Sequence, residues 1–309
     1  MSKVVITGAT GFIGTVLVRK LRAAGHEIVV LTRDAAKAQA ALPGVTAVTA
    51  ELQTPGAWTE SMKGAAAVIH LAGASVGDHR WDARVKQEIR DSRVESGRVI
   101  VEAIAAMVPA ERPAALLCAS GSDYYPFASE QAGFDDDEVT ETDPAGESFL
   151  ARVCKEWERE ANGATALGVR VATFRTGLVL GPSAALSKLS LPFKLFVGGK
   201  IGSGRQWTSW IHVDDVVAVY VAAITDARYT GAFNLVADST RAGAFAKALG
   251  HALHRPSWIP VPAFAVKLVA GEFAEHVLKG RRVVPSRLRQ LGYSFQFPTL
   301  PPALASAVA

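Results

Sequence analysis

Short, predominantly apolar runs alternate with longer amphipathic stretches through the first two-thirds of the chain. The runs fall at Lys3–Thr7, Glu27–Leu31, Ala66–Leu71, Ala115–Ala119 and Arg170–Thr173. They lack the apolar–polar alternation of a half-exposed strand, which predicts strands buried on both faces. Between them, Ala83–Val108 and Phe149–Leu167 carry apolar residues at helical spacing. Buried strands separated by helices predict an α/β chain, a doubly wound parallel sheet of the Rossmann type. Crossovers in such a sheet are right-handed, and ligands sit outside the carboxyl ends of the strands.

The pattern changes after about Leu178. Residues 182–210 read as loop-rich, and residues 198–204 are mostly turn chemistry. From Arg241 onward, short helical patterns broken by prolines predict a small lobe. The expected division is a dinucleotide-binding domain over 1–178, rejoined by 211–236, and a substrate lobe built from 179–210 and 237–309.

The first apolar run leads into Thr7-Gly8-Ala9-Thr10-Gly11-Phe12-Ile13-Gly14, and the helical pattern Thr15–Leu21 follows. A strand, a glycine turn and a helix N-terminus form a seat for a dinucleotide pyrophosphate. Glycine allows a tight turn and close approach of phosphate oxygens, and the helix offers free N–H groups and its positive dipole end. The second apolar run comes directly after Gly25-His26, which supplies the structural context such a motif requires.

Composition narrows the classes. Of 309 residues, 49% are apolar and 20% charged, which fits a globular protein with a large core. The net charge of +4 is mild, and the only basic cluster, Lys279-Gly280-Arg281-Arg282, reads as a solvated surface, so nucleic acid is not an expected partner. Cys118 and Cys154 make neither a disulfide framework nor a metal site, and no metal is expected. Met1-Ser2-Lys3 leaves no room for a leader before the first strand, and no apolar run reaches the ~18 residues of a membrane span, so a cytoplasmic location is expected.

The glycine turn resembles the opening of extended short-chain dehydrogenase/reductases of the nucleotide-sugar epimerase and dehydratase type. Val68-Ile69-His70-Leu71-Ala72-Gly73 resembles that family's fourth strand, and Trp210-Ile211-His212-Val213-Asp214-Asp215-Val216 a late element of it. More narrowly, Trp157-Glu158, the run Arg175–Pro182, the run Gly202–Trp207 and Gly231–Leu235 resemble an atypical epimerase-like branch. The segments Arg281–Leu288 and Gly292–Phe295 match that branch's small C-terminal domain of unknown function. The resemblance covers nearly the whole chain.

The resemblance implies a nicotinamide dinucleotide cofactor. Gly8, Thr10, Gly11, Phe12, Ile13 and Gly14 would seat the pyrophosphate, and Leu71, Ala72 and Gly73 would border the cofactor. At the end of the second strand an acid selects NAD, whereas an arginine accommodates the 2′-phosphate of NADP. The chain has Thr32-Arg33-Asp34 there, and the strand itself ends without an acid, which favours NADP over NAD. Glu51 stands where family members meet the adenine amine.

The resemblance also implies a catalytic serine after the fifth strand and a Tyr-x-x-x-Lys pair on the next helix. The lysine lowers the tyrosine's pKa and binds the ribose. Ser120 suits the serine role and Lys155 the lysine role, but Ala151 stands four residues before Lys155. The atypical branch carries paired tyrosines after the serine, here Tyr124 and Tyr125, and either would handle the proton or shape the pocket. Arg205, Trp207 and Trp210, among glycines, form a candidate substrate wall. His70 reads as a structural histidine, and His212, Asp214 and Asp215 as caps for a helix over Val216–Thr225.

Two functions follow. One is an NADP-dependent oxidoreductase or epimerase-like enzyme, moving a hydride to or from a hydroxyl- or carbonyl-bearing small molecule such as a nucleotide sugar. The alternative is a non-catalytic NADP(H) sensor that lacks the family tyrosine. A lyase or dehydratase would differ only after the oxidation step. Relatives pair through the two long helices, so the chain is expected to be a monomer or homodimer.

Overall fold

The structure, a computed structural model, describes residues 2–127 and 136–309. The strands in chain order are β1 (Lys3–Thr7), β2 (Glu27–Thr32), β3 (Thr46–Thr49), β4 (Ala67–His70), β5 (Ala115–Gly121) and the short β6 (Glu138–Val139). They continue with β7 (Arg170–Thr176), β8 (Leu178–Leu180), β9 (Trp207–His212), β10 (Gly231–Leu235), β11 (Asp238–Arg241) and β12 (Arg282–Val283). The central sheet runs β10-β7-β5-β4-β1-β2-β3, with every neighbouring pair parallel. The chain therefore has the doubly wound Rossmann architecture. Strand order reverses between β1 and β4, and a ligand crevice opens at such a switch point.

The helices are α1 (Phe12–Ala23), α2 (Ala35–Ala41), α3 (Ala83–Asp91), α4 (Val94–Ala105), α5 (Phe149–Asn162) and α6 (Ala184–Lys194). They continue with α7 (Val213–Thr225), α8 (Ala242–Ala252), α9 (Ala263–Ala270), α10 (Ala274–Leu278), α11 (Ser286–Gln290) and α12 (Leu300–Val308). Two apolar layers sandwich the sheet. Leu17 and Leu21 of α1, Val216 and Tyr220 of α7 and Leu304 of α12 cover one face. Val99 and Ile100 of α4 and Val153 and Trp157 of α5 cover the other.

The long helix expected over Ala83–Val108 is two helices, α3 and α4. The break is at Ser92-Arg93, where side chains compete for the helix carbonyls. Ser92 Oγ donates to the Ile89 carbonyl at 3.1 Å and accepts from Ala74 N–H at 2.9 Å, and Arg93 also donates to Ile89 O. Residues 182–210, expected to be loop-rich, contain α6 and the start of β9. Ser183 caps α6 by accepting from Leu186 N–H, and Leu186, Ser190 and Phe193 face inward despite Pro192. β9 lies between β8 and β11 in a second, three-stranded sheet.

Among the described residues, no helix is long and apolar enough to cross a membrane.

Candidate active site

The glycine turn is a tight cradle. Gly8 adopts φ +70°, and a Cβ there would stand 2.7 Å from the backbone of Leu71 and Ala72 at the end of β4. A Cβ on Gly14 would stand 2.4 Å from the Gly8 carbonyl oxygen, so α1 packs directly against the turn. Gly11 is the N-cap of α1 with no side-chain capping bond, and the first turn holds no acid. The N-terminal N–H groups of α1 are thus left for an anion. Thr10 and Gly11 are exposed, and Phe12 and Ile13 half-buried, along this seat.

Thr32 ends β2, and its Oγ1 accepts from Asp34 N–H at 3.3 Å. Asp34 caps α2 by accepting from Lys37 N–H at 2.9 Å. Arg33 between them is exposed, with no ion pair among the described residues. Glu51 is exposed beyond β3.

Under the crevice, His70 is fully buried. Its Nδ1 meets Thr7 Oγ1 at 2.7 Å and its Nε2 meets Ser96 Oγ at 3.1 Å, while Thr7 Oγ1 accepts from Ala72 N–H. Burial lowers its pKa to about 4, so it stays neutral and ties β1, β4 and α4 together.

Ser120 and Tyr125 belong to one buried network. Ser120 Oγ donates to Glu158 Oε1 at 2.7 Å. Arg175 grips the same carboxylate at 2.9 and 2.8 Å, and its third nitrogen donates to Tyr125 Oη at 2.9 Å. Tyr125 Oη donates in turn to Asn234 Oδ1 at 2.7 Å. Burial pushes the Tyr125 pKa up to about 12, against the pull of Arg175, so the phenol is committed to its neutral form. Tyr124 is half-buried, with the Arg175 guanidinium 3.4 Å from its ring centre.

Four candidates are not brought to this centre. Lys155 is exposed, because α5 turns Leu150, Ala151, Cys154, Trp157 and Glu158 inward. Reading the helical register from Trp157-Glu158 would have shown this. Trp210 has no exposed surface, and its Nε1 donates to Thr240 Oγ1, so it cannot form part of an open wall. Trp207 is half-buried with Arg241 stacked 3.9 Å from its ring centre, and Arg205 is exposed. The cluster at 279–282 is partly paired, Lys279 with Glu275 and Arg282 with Glu138.

Other residues do gather at the carboxyl ends of β4 and β5. The Arg93 guanidinium fills the space beside Gly73, where a Cβ would stand 2.9 Å from its Cζ. Cys154 Sγ and Asp123 Oδ2 each lie 3.5 Å from the position of a Cβ on Gly121. Burial pushes the Cys154 thiol up to about 12. Asp123 bonds His276 across 153 residues of sequence, and His276 lines a cavity of about 750 Å3 beside α3, α5, α9 and α10. No local motif marks this pair, because its two halves stand far apart in the chain.

Comparison with known proteins agrees with this architecture. Residues 4–235 match the NAD dependent epimerase/dehydratase family, and residues 261–307 match a domain of unknown function, DUF1731. The epimerase family protein SDR39U1 homolog, chloroplastic, of Arabidopsis thaliana is 41% identical over 301 residues, 97% of this chain and 84% of that protein. The epimerase family protein YfhF of Bacillus subtilis is 32% identical over 307 residues, 99% of this chain and 98% of that one. The crystal structure of human epimerase family protein SDR39U1 (isoform 2) with NADPH superposes with a TM-score of 0.83 at 31% identity, covering 99% of this chain and 98% of that one. A matching glycine cradle, a family profile spanning most of the sheet and near-full-length relatives together establish that this chain belongs to the NAD dependent epimerase/dehydratase family.

Proposed function

We propose that the chain is an NADP(H)-dependent oxidoreductase or epimerase-like enzyme acting on a hydroxyl- or carbonyl-bearing small molecule. The observation that carries this reading is the glycine cradle, whose Gly8 and Gly14 leave no room for a side chain and whose helix N-terminus has no cap of its own. When bound there, the dinucleotide would supply a two-electron hydride donor or acceptor. Gly11 to Gly14 would hold its pyrophosphate with backbone N–H groups. Thr32 and Arg33 would meet the adenosine ribose, with the exposed guanidinium on a 2′-phosphate. Glu51 is the candidate for the adenine amine, and Leu71 to Gly73 would wall the crevice at the end of β4. Support for NADP over NAD comes from Arg33 and from the human relative solved with NADPH.

Ser120 and Tyr125 serve this site as scaffold, since their hydroxyl protons go to Glu158 and Asn234. Tyr124 keeps a hydroxyl with no hydrogen-bond partner among the described residues. One observation favours the sensor reading: α5 has no tyrosine, and its one lysine is exposed.

Energy transfer from tryptophan to NADPH tests the cofactor assignment. Arg33→Ser is expected to weaken NADPH about tenfold or more and leave NADH within about threefold, the loss of one charge-assisted phosphate contact. Equal loss for both dinucleotides would overturn the 2′-phosphate assignment. Oxidation of NADPH with a panel of carbonyl compounds and nucleotide sugars then separates enzyme from sensor.

A further inference from the structure

Asp123 lies in the turn directly after β5, where the parallel sheet presents its ligands. Its Oδ1 accepts a hydrogen bond from His276 Nδ1 at 2.6 Å. The His276 side chain is only 5% exposed and is wedged among Trp81, Phe127 and Phe273, with ring centres 5.5, 4.9 and 6.0 Å away. Aromatic walls and the carboxylate fix the ring's orientation. With Nδ1–H donated to Asp123, the lone pair of the neutral ring is on the second nitrogen, Nε2, which has no partner among the described residues. His276 lines the 750 Å3 cavity. Of the charged groups lining the cavity, Lys86 pairs with Glu272, Lys279 with Glu275, and Arg152 donates to the carbonyl of Glu147, while Lys267 and the Glu147 carboxylate have no ion pair among the described residues.

Resting on the oxidoreductase reading above, we infer that His276 is the catalytic acid–base residue and Asp123 its positioning residue. They act on a hydroxyl or carbonyl held in this cavity. A base oriented by a carboxylate is the arrangement that proton transfer needs. It supplies what α5 lacks and what Tyr125, locked to Asn234 and Arg175, does not offer. In the oxidation direction the substrate O–H proton goes to Nε2. A dinucleotide bound at the glycine cradle would supply the two-electron acceptor for the carbon-bound hydrogen, which leaves with its electron pair as the C–O bond becomes C=O. Reduction reverses each movement, with Nε2–H returning the proton. The pair joins the Rossmann sheet to the C-terminal segment, so the site is complete only when that segment is docked.

The test uses full-length protein loaded with NADP+ or NADPH. Nitrogen-labelled histidine signals, assigned with His276→Gln, are expected to show the Nδ1–H tautomer with a strongly deshielded proton. Asp123→Asn is expected to remove that proton signal. With vicinal diketones as probes, folded His276→Gln is expected to lose about a hundredfold in kcat and to keep its Kd for NADPH within about threefold. Asp123→Asn is expected to lose roughly tenfold, and Asp123→Glu to recover part of that loss. An Nε2–H tautomer in the native protein, or His276→Gln with kcat within about threefold of native, overturns the inference. Turnover of no probe by protein that binds NADPH overturns the catalytic role and favours the sensor. Failure to bind NADPH overturns the oxidoreductase reading itself.

Discussion

His70 shows what a single buried residue sets in motion. Its imidazole lies between Thr7 and Ser96, and burial is the main reason its pKa falls from 6.5 to about 4. In the unfolded chain the ring takes up a proton as pH falls through 6.5; in the folded chain it does not until about 4. The unfolded state therefore binds more protons across that window, and folding stability drops as pH falls. The full contribution is present above the unfolded pKa, and the loss is complete below the folded one. For this one group the total is on the order of 3 kcal/mol. Urea unfolding measured across the window should show that slope, and His70→Gln should flatten it while lowering stability at neutral pH. An equally steep slope in the variant would assign the acid sensitivity elsewhere.

Among the elements, α7 and its preceding strand show how a short motif organises distant chain. His212 caps α7, its Nδ1 accepting from Asp214 N–H at 3.2 Å. Asp215 is fully buried, and its carboxylate accepts from Tyr293 Oη, Gln296 N–H and Phe297 N–H at 3.1, 2.7 and 3.1 Å. The helix expected from Val216 starts at Val213 with His212 as its cap, so Asp215, expected as a cap, lies in the first turn and is instead the anchor that docks the C-terminal segment against the sheet. Asp215→Ala leaves those donors without an acceptor and should cost about 2–4 kcal/mol, read from urea midpoints. Hydrogen exchange should rise first in α12, and uniform exchange across the sheet would argue against the anchor. Helical periodicity marks α5 but not which side chains meet the site: Lys155 has the family lysine's place in the sequence, yet Cys154 takes the inward face and Lys155 is exposed. Pro192 and the surrounding serines hid α6, whose stability comes from packing Leu186 and Phe193 against the main core.

At the scale of the molecule, one buried network holds the sheet to the C-terminal segment. Glu158 on α5, Arg175 on β7, Tyr125 after β5 and Asn234 on β10 are bonded in sequence, and Asn234 Nδ2 donates to Val284 O at 2.9 Å. Glu141 adds bonds from Asn234 N–H and Arg287 N–H at 3.0 and 3.2 Å. The Glu158–Arg175 pair is almost wholly buried, with side chains 8% and 5% exposed. Removing one partner strands the other charge, so Glu158→Gln should cost about 3 kcal/mol or more, whereas Ser120→Ala should cost nearer 1 kcal/mol. Pairing Glu158→Gln with Arg175→Met should recover part of the loss in a double-mutant cycle. Strict additivity of the two changes would mean the pair does not act as a unit.

Local sequence determined the parts of this protein whose causes are local. The glycine turn, the buried strands and the cap at Asp34 follow from backbone sterics, apolar runs and short-range hydrogen bonds. They were enough to specify the Rossmann sheet and the place where a dinucleotide fits. Tertiary structure decided which chemistry-bearing side chains meet. It spent Ser120 and Tyr125 on the ion pair, buried Trp210, turned Lys155 outward and brought His276 to Asp123. The physical reason is that these outcomes depend on long-range burial and on hydrogen bonds between groups far apart in the chain. Such partners exist only after the distant segments have packed.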